Sequence, residues 1–309
     1  FDRPSMSYRF GGMLMAGMLL WLIYIFGARV YGRQVGLFGA LAFALMPRIF
    51  YHSHLDCFDV PIALMLTLVT YCYWRALSDW RWVIVTGLVY GLALETKHNA
   101  WTLPAIFWVH WVFVVLGHRT RGGQEGLRRR LFLAMAIFGP LLAIGGTFYF
   151  AVLSPVLHLR GSLVAALLPI PLYVVLLVLI ARWAKAPQWR MFVPFGLLAC
   201  VVMGPILFVA LWPWMWFDTA ARFGEYASFH LNHVHYNMVY FGTNTFGPPL
   251  PMGYPWVMTL FTVPLVTLVL AIAGAGTRLR AMLPPMLLER MWPHGRVDPD
   301  TSRTDVLLV

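Results

Sequence analysis

Two histidines and two aspartates, His52, His54, Asp56 and Asp59, fall within the stretch Pro47 to Pro61 (PRIFYHSHLDCFDVP), with Arg48 just ahead of them. Imidazoles and carboxylates at this density can orient hydroxyl groups, move protons and hold a charged substrate. Between two apolar runs such groups are expensive unless a function uses them. A structural account stands beside that one: Asp59 can cap a helix whose first turn holds Pro61, and Arg48 can pair with Asp56.

A second constellation is Glu95-Thr96-Lys97-His98-Asn99. Lys97 is one of two lysines in a chain that otherwise uses arginine. A flexible ammonium grips a phosphate as a point charge, with His98 beside it. The alternative is a lysine that snorkels from a helix end with Glu95 as its partner. The third is Trp212-Pro213-Trp214-Met215-Trp216-Phe217-Asp218, followed by Arg222, His230, His233 and His235. Its tryptophans suit a headgroup-level belt, with Asp218 capping a short helix on the membrane and pairing with Arg222. The three histidines lack a carboxylate or cysteine at zinc spacing, so segment 212–255 reads as an outer-face segment with an interfacial, substrate-gating helix. Cys57, Cys72 and Cys200 form neither a disulfide framework nor a metal motif, and no metal is expected.

These groups must be positioned by membrane helices. Hydrophobic residues make up 60% of the chain, charged residues 11%, and mean hydropathy is +0.71, values foreign to a soluble domain of 309 residues. Apolar runs lie near 10–28, 36–50, 60–77, 83–95, 100–117, 131–153, 163–181, 191–211 and 256–276. They lack the two-residue alternation of barrel strands, so helices are expected. Nine crossings put 17 of the 23 Lys and Arg residues on one side, which is then cytoplasmic. That asymmetry accounts for the net charge of +11 without nucleic acid, which needs a basic face on a folded domain. The opposite, extracytoplasmic side carries 51–59, 95–99, 154–162 and 212–255, and with them His52, His54, His98, His158, His230, His233 and His235. No Asp, Glu, Lys or Arg falls near the middle of a run, which counts against an ion-coupled transporter.

The order and spacing of Tyr8-Arg9, Val30-Tyr31-Gly32-Arg33, the Phe50 to Pro61 motif, Arg75-Ala76-Leu77 and Gly91 to Ala100 (GLALETKHNA) resemble the family 39 glycosyltransferases, which include protein O-mannosyltransferases and the lipid A aminoarabinose transferase. The resemblance covers about 1–117 and, more loosely, 212–255. It implies an all-α polytopic transmembrane bundle of the GT-C type, forming one domain over 1–309. It implies a site facing away from the cytoplasm in the inner or plasma membrane. The expected reaction is transfer, by inversion, of a sugar from a polyprenyl-phosphate donor to a glycolipid or protein acceptor, with no cofactor. Lys97, His98 and Arg48 are expected to bind the phosphate, and Asp59, Asp56 and His54 the hydroxyls. The family's catalytic carboxylate lies in a first outer loop upstream of residue 10. The chain, starting at Phe1 and ending on Val306-Leu307-Leu308-Val309, reads as a piece of a longer protein that would be inactive alone. The competing expectation is a transporter or a lipid-linked sugar flippase.

Overall fold

The computed structural model describes residues 3–119, 127–149, 168–185, 192–232, 237–247 and 251–282. Asp2, His158, His233 and His235 lie outside the described residues. Those described form α-helices joined by short turns, with one two-stranded hairpin. By their contacts they divide into two compact units, one holding residues up to Leu64 and from Ala227 onward, the other Met65–Tyr226.

In the first unit, α1 (Arg3–Tyr31) turns at Gly32 into α2 (Arg33–Ala44). Gly32 takes φ +96°, a conformation open to glycine at little cost. The two helices then approach at backbone distance. A Cβ added at Gly36 would lie 2.5 Å from both Ala28 N and Tyr24 O. The apolar run at 36–50 is not one helix. Met46, preceding Pro47, is extended (φ −67°, ψ 121°), α3 (Pro47–Ser53) restarts with the proline in its first turn, and the axes differ by 73°. The run at 256–276 breaks the same way. Extended Val263, before Pro264, separates α11 (Tyr254–Thr262) from α12 (Leu265–Met282) at 117°. Within 212–255, β1 (Met238–Tyr240) and β2 (Thr243–Thr245) pair antiparallel. Phe241 and Gly242, both at positive φ, close them as a two-residue turn whose twist suits a hairpin. Helical periodicity does not announce strands this short.

The second unit begins inside α4 (Asp59–Ala76) and continues through α5 (Arg81–Thr96), α6 (Leu103–Arg119), α7 (Leu127–Phe148), α8 (Pro169–Trp183), α9 (Phe195–Leu211) and the start of α10 (Thr219–Leu231). α5 and α9 pack along each other through small residues. The Met203 and Leu207 side chains occupy the space above Gly87 and Gly91, and the Tyr90 ring that above Gly204. Without a hydrophobic drive between helices in lipid, such close contact supplies the association. Around Trp111, Phe132, Tyr173 and Leu177, helices α6, α7 and α8 form a second core. Buried His110 of α6 meets the Tyr73 hydroxyl at 3.0 Å, and that hydroxyl lies 3.3 Å from Phe107 O, so this buried pair is satisfied, whereas the Tyr90 and Tyr173 hydroxyls and the Trp111 indole N–H are buried without a hydrogen-bond partner among the described residues.

Large apolar side chains remain uncovered on both units, among them Trp21, Leu142, Leu179, Val266 and Ile272. Apolar surface on this scale belongs against lipid. Among the described residues, Tyr8–Tyr31 and Arg128–Phe148 are long and apolar enough to cross a membrane, and the two bent pairs raise the number to four if each is one span. α8 and α9, of 15 and 17 residues, are apolar but shorter. At 1.5 Å per residue they fall short of a core of roughly 30 Å, so nine crossings stay an expectation of the sequence.

Candidate functional site

The motif from Pro47 to Pro61 becomes a helix, a tight connection and a second helix start. α3 ends at Ser53, whose hydroxyl donates back to Ile49 O at 2.7 Å. His54 ends the helix, and its Nδ1 lies 2.7 Å from Phe50 O. A carbonyl only accepts, so Nδ1 carries the hydrogen and the neutral ring keeps its lone pair on Nε2. α4 then starts at Asp59, whose carboxylate stands in the positive first turn of the helix. The polar side-chain contact between α3 and α4 is His52 Nδ1 to Asp59 Oδ2, 3.2 Å, in place of Arg48 with Asp56. The reason is the helix break at Pro47. It puts Arg48 in the first turn of α3 and His52 in the last, beside the start of α4. Arg48, His54, Asp56 and Asp59 are exposed, and His52 and Cys57 are half-buried. Cys57 Sγ lies 3.8 Å from His52 Nδ1. The sequence offers His52 only as a member of the cluster and gives Cys57 no role, because a five-residue separation across a helix end matches no familiar motif.

Behind this connection is a cavity of about 360 Å³. Its wall is mostly apolar, with Met13 and Leu20 of α1, Phe43 of α2 and Ile49 and Phe50 of α3, and His54 stands at its edge. Gly12 of α1 lets the connection come close, since a Cβ there would be 3.1 Å from Leu55 O. The first unit thus joins an apolar hollow to a group of imidazoles and carboxylates.

In the second unit, α5 ends because Lys97 is fully extended (φ −164°, ψ 144°), and a 3₁₀ turn from His98 to Thr102 leads into α6. Pro104 sits in the first turn of α6, where a missing N–H costs nothing. Lys97 is half-buried and His98 exposed, so a chain reversal and not a helix face presents both. Next to them is an aromatic cluster. Trp101 Nε1 donates to the Tyr226 hydroxyl at 3.3 Å, and Phe208, Trp212 and Phe223 close around these rings at 5.3 to 6.2 Å. Burial pushes the Tyr226 hydroxyl above the ordinary phenol range, the Trp101 hydrogen bond opposes the rise and the Glu95 charge adds to it. Tyr226→Phe removes the partner of the indole N–H and is expected to lower stability by about 1 kcal/mol, read as a fall in the melting temperature of the detergent-solubilised protein.

Asp218 occupies the expected place, its carbonyl accepting the first helical hydrogen bond of α10 from Arg222 N at 3.0 Å. Arg222 does not pair with it. The guanidinium bonds Trp214 O at 2.5 Å and lies 5.1 Å above the Trp214 ring. Asp218 itself takes φ +50°, so the chain twists into α10 and carries the arginine toward the tryptophans.

The sequence motifs that flank these elements match a known family over residues 1–157, half of the chain. The matching model describes dolichyl-phosphate-mannose-protein mannosyltransferases. No curated protein and no solved structure matches the chain. The match covers α1 to α7 and with them the whole Pro47 to Pro61 motif and the Lys97 turn, and on that extent the chain belongs to the dolichyl-phosphate-mannose-protein mannosyltransferase family, a family of membrane glycosyltransferases.

Proposed function

We propose that the protein transfers a sugar from a polyprenyl-phosphate donor to a lipid or protein hydroxyl on the extracytoplasmic face of the inner or plasma membrane. The family match carries this reading. The apolar cavity that ends at His54 supports it, because a lipid-linked donor needs a greasy wall beside polar groups.

The acceptor hydroxyl attacks the anomeric carbon, the bond from that carbon to the phosphate oxygen breaks, and the polyprenyl phosphate leaves with the electron pair. Lys97 and His98, with Arg48, are the groups we assign to the charge that builds on the leaving phosphate. His54 offers an acceptor lone pair on Nε2, and Asp59 and Asp56 offer carboxylate oxygens, so these three suit donor or acceptor hydroxyls. His52 holds the Asp59 carboxylate in place. A carboxylate base takes the hydroxyl proton, and a single displacement inverts the anomeric centre. Neither a nucleotide nor another organic cofactor enters this scheme.

The facing of the site has its own test. A membrane-impermeant maleimide added to intact spheroplasts is expected to label Cys57, because Cys72 and Cys200 are buried and Cys57 is not. Labelling of Cys57 only after the membrane is opened would place the motif on the cytoplasmic side and overturn the assignment of face.

A transporter or flippase stands as the second reading. Two broken helices favour it, the α2–α3 pair and the α11–α12 pair, since discontinuous helices line many transport pathways. Net movement of a lipid-linked sugar across proteoliposomes without transfer would support that reading instead.

A further inference from the structure

We infer that His52, Cys57 and Asp59 form a binding site for a zinc-class divalent transition metal at the junction of α3 and α4. Their ligand atoms, one each from imidazole, thiol and carboxylate, all lie within 4.8 Å of one another. The spacing matches what a tetrahedral ion demands. With Zn–N and Zn–O near 2.0 Å and Zn–S near 2.3 Å, the edges of the tetrahedron are about 3.3 Å from nitrogen to oxygen and about 3.5 Å from nitrogen or oxygen to sulfur. The corresponding distances are 3.2 Å from His52 Nδ1 to Asp59 Oδ2 and 3.8 Å from His52 Nδ1 to Cys57 Sγ. An ion fits these two edges with displacements of a few tenths of an ångström, and the third, Cys57 Sγ to Asp59, which lies within 4.8 Å, would close toward the roughly 3.5 Å edge of a zinc tetrahedron by movement of the connection.

The donor set selects the metal. A thiolate with an imidazole suits zinc, cobalt or copper and disfavours magnesium and calcium, which prefer oxygen ligands. On binding, the Cys57 thiol releases its proton to solvent. The His52 ring moves its hydrogen from Nδ1, where the metal-free protein donates it to Asp59, to Nε2. Three protein ligands leave a fourth position for water. The ligands come from the last turn of α3, the connection and the first residue of α4, so the ion would clamp the bend that positions His54 and Asp56. This departs from the metal-free site expected from cysteine spacing. It does not depend on the glycosyltransferase reading, because binding is read without turnover.

The test uses the full chain in detergent with Co²⁺ as an optical probe and Zn²⁺ as competitor. The wild type is expected to take one equivalent of Co²⁺ and to show a thiolate-to-cobalt charge-transfer band that Zn²⁺ removes. Cys57→Ala should abolish the band, whereas Cys72→Ala and Cys200→Ala should keep it. His52→Ala should weaken binding by more than about tenfold, since losing even an outer-shell partner of a ligand costs that much. Independently of any variant, saturating Zn²⁺ should slow maleimide alkylation of wild-type Cys57 by more than about tenfold, since the metal-bound thiolate is held from the reagent. No charge-transfer band, a band that survives Cys57→Ala, or an alkylation rate indifferent to Zn²⁺ would each overturn the site.

Discussion

Lys97→Ala and Asp59→Asn, each introduced into the full-length gene, are expected to lower sugar transfer in membrane vesicles by more than about tenfold, roughly 1.4 kcal/mol of barrier apiece. The two losses arise differently. Lys97 is half-buried in a chain reversal, so its ammonium is held near one place, and alanine removes a charge that would strengthen its hold as the phosphate gains charge in the transition state. Arginine in its place keeps the charge but changes the shape, and partial recovery is expected. Asp59→Asn keeps the size but loses the charge that pairs with His52. The amide still contacts hydroxyls, so the defect should fall on the rate more than on donor affinity. Wild-type transfer by both variants, in protein that reaches the membrane in normal amount, would remove these residues from the site.

Gly36→Ala is the structural change expected to do the most damage. The new methyl group would meet the Ala28 nitrogen and the Tyr24 oxygen at 2.5 Å, and these are backbone atoms of α1 that cannot step aside. α2 must separate from α1, which overpacking data put at about 3 kcal/mol, the upper part of the usual range. The cavity beside His54 is walled by both helices, so donor affinity should fall together with stability. Gly17→Ala is the control, because a Cβ there meets nothing within 4 Å. Thermal unfolding in detergent reads the contrast, and equal melting temperatures for the two variants would show that the α1–α2 contact is not as drawn.

What the sequence could show follows from where its information lies. Hydropathy found the apolar runs, because a lipid solvent demands long stretches of one character. It joined α2 to α3 and α11 to α12, because leucine and phenylalanine continue across both breaks while the kink comes from the backbone of Met46 and Val263 ahead of prolines. Hydropathy also cannot tell a packed face from a lipid-facing one. Gly87, Gly91 and Gly204 are therefore recognisable as the α5–α9 contact only once Met203, Leu207 and Tyr90 are seen above them. At the candidate site the residue types were legible, since His54, Asp56, Asp59 and Lys97 are polar groups among apolar neighbours. Their partners were not. Whether Arg48 meets Asp56, and whether Asp59 only starts a helix or also meets His52, depends on the helical phase set by Pro47, and Cys57 gains chemistry only through atoms five residues back and two residues on.

The most direct test of glycosyl transfer is a donor panel. Membrane vesicles carrying the full-length protein are given radiolabelled polyprenyl-phosphate sugars in turn, and label is followed into endogenous lipid and protein. Transfer from at least one donor, lost on Lys97→Ala and Asp59→Asn, is the predicted result. No transfer from any donor by folded protein would contradict the account and leave transport of the lipid-linked sugar as the better reading.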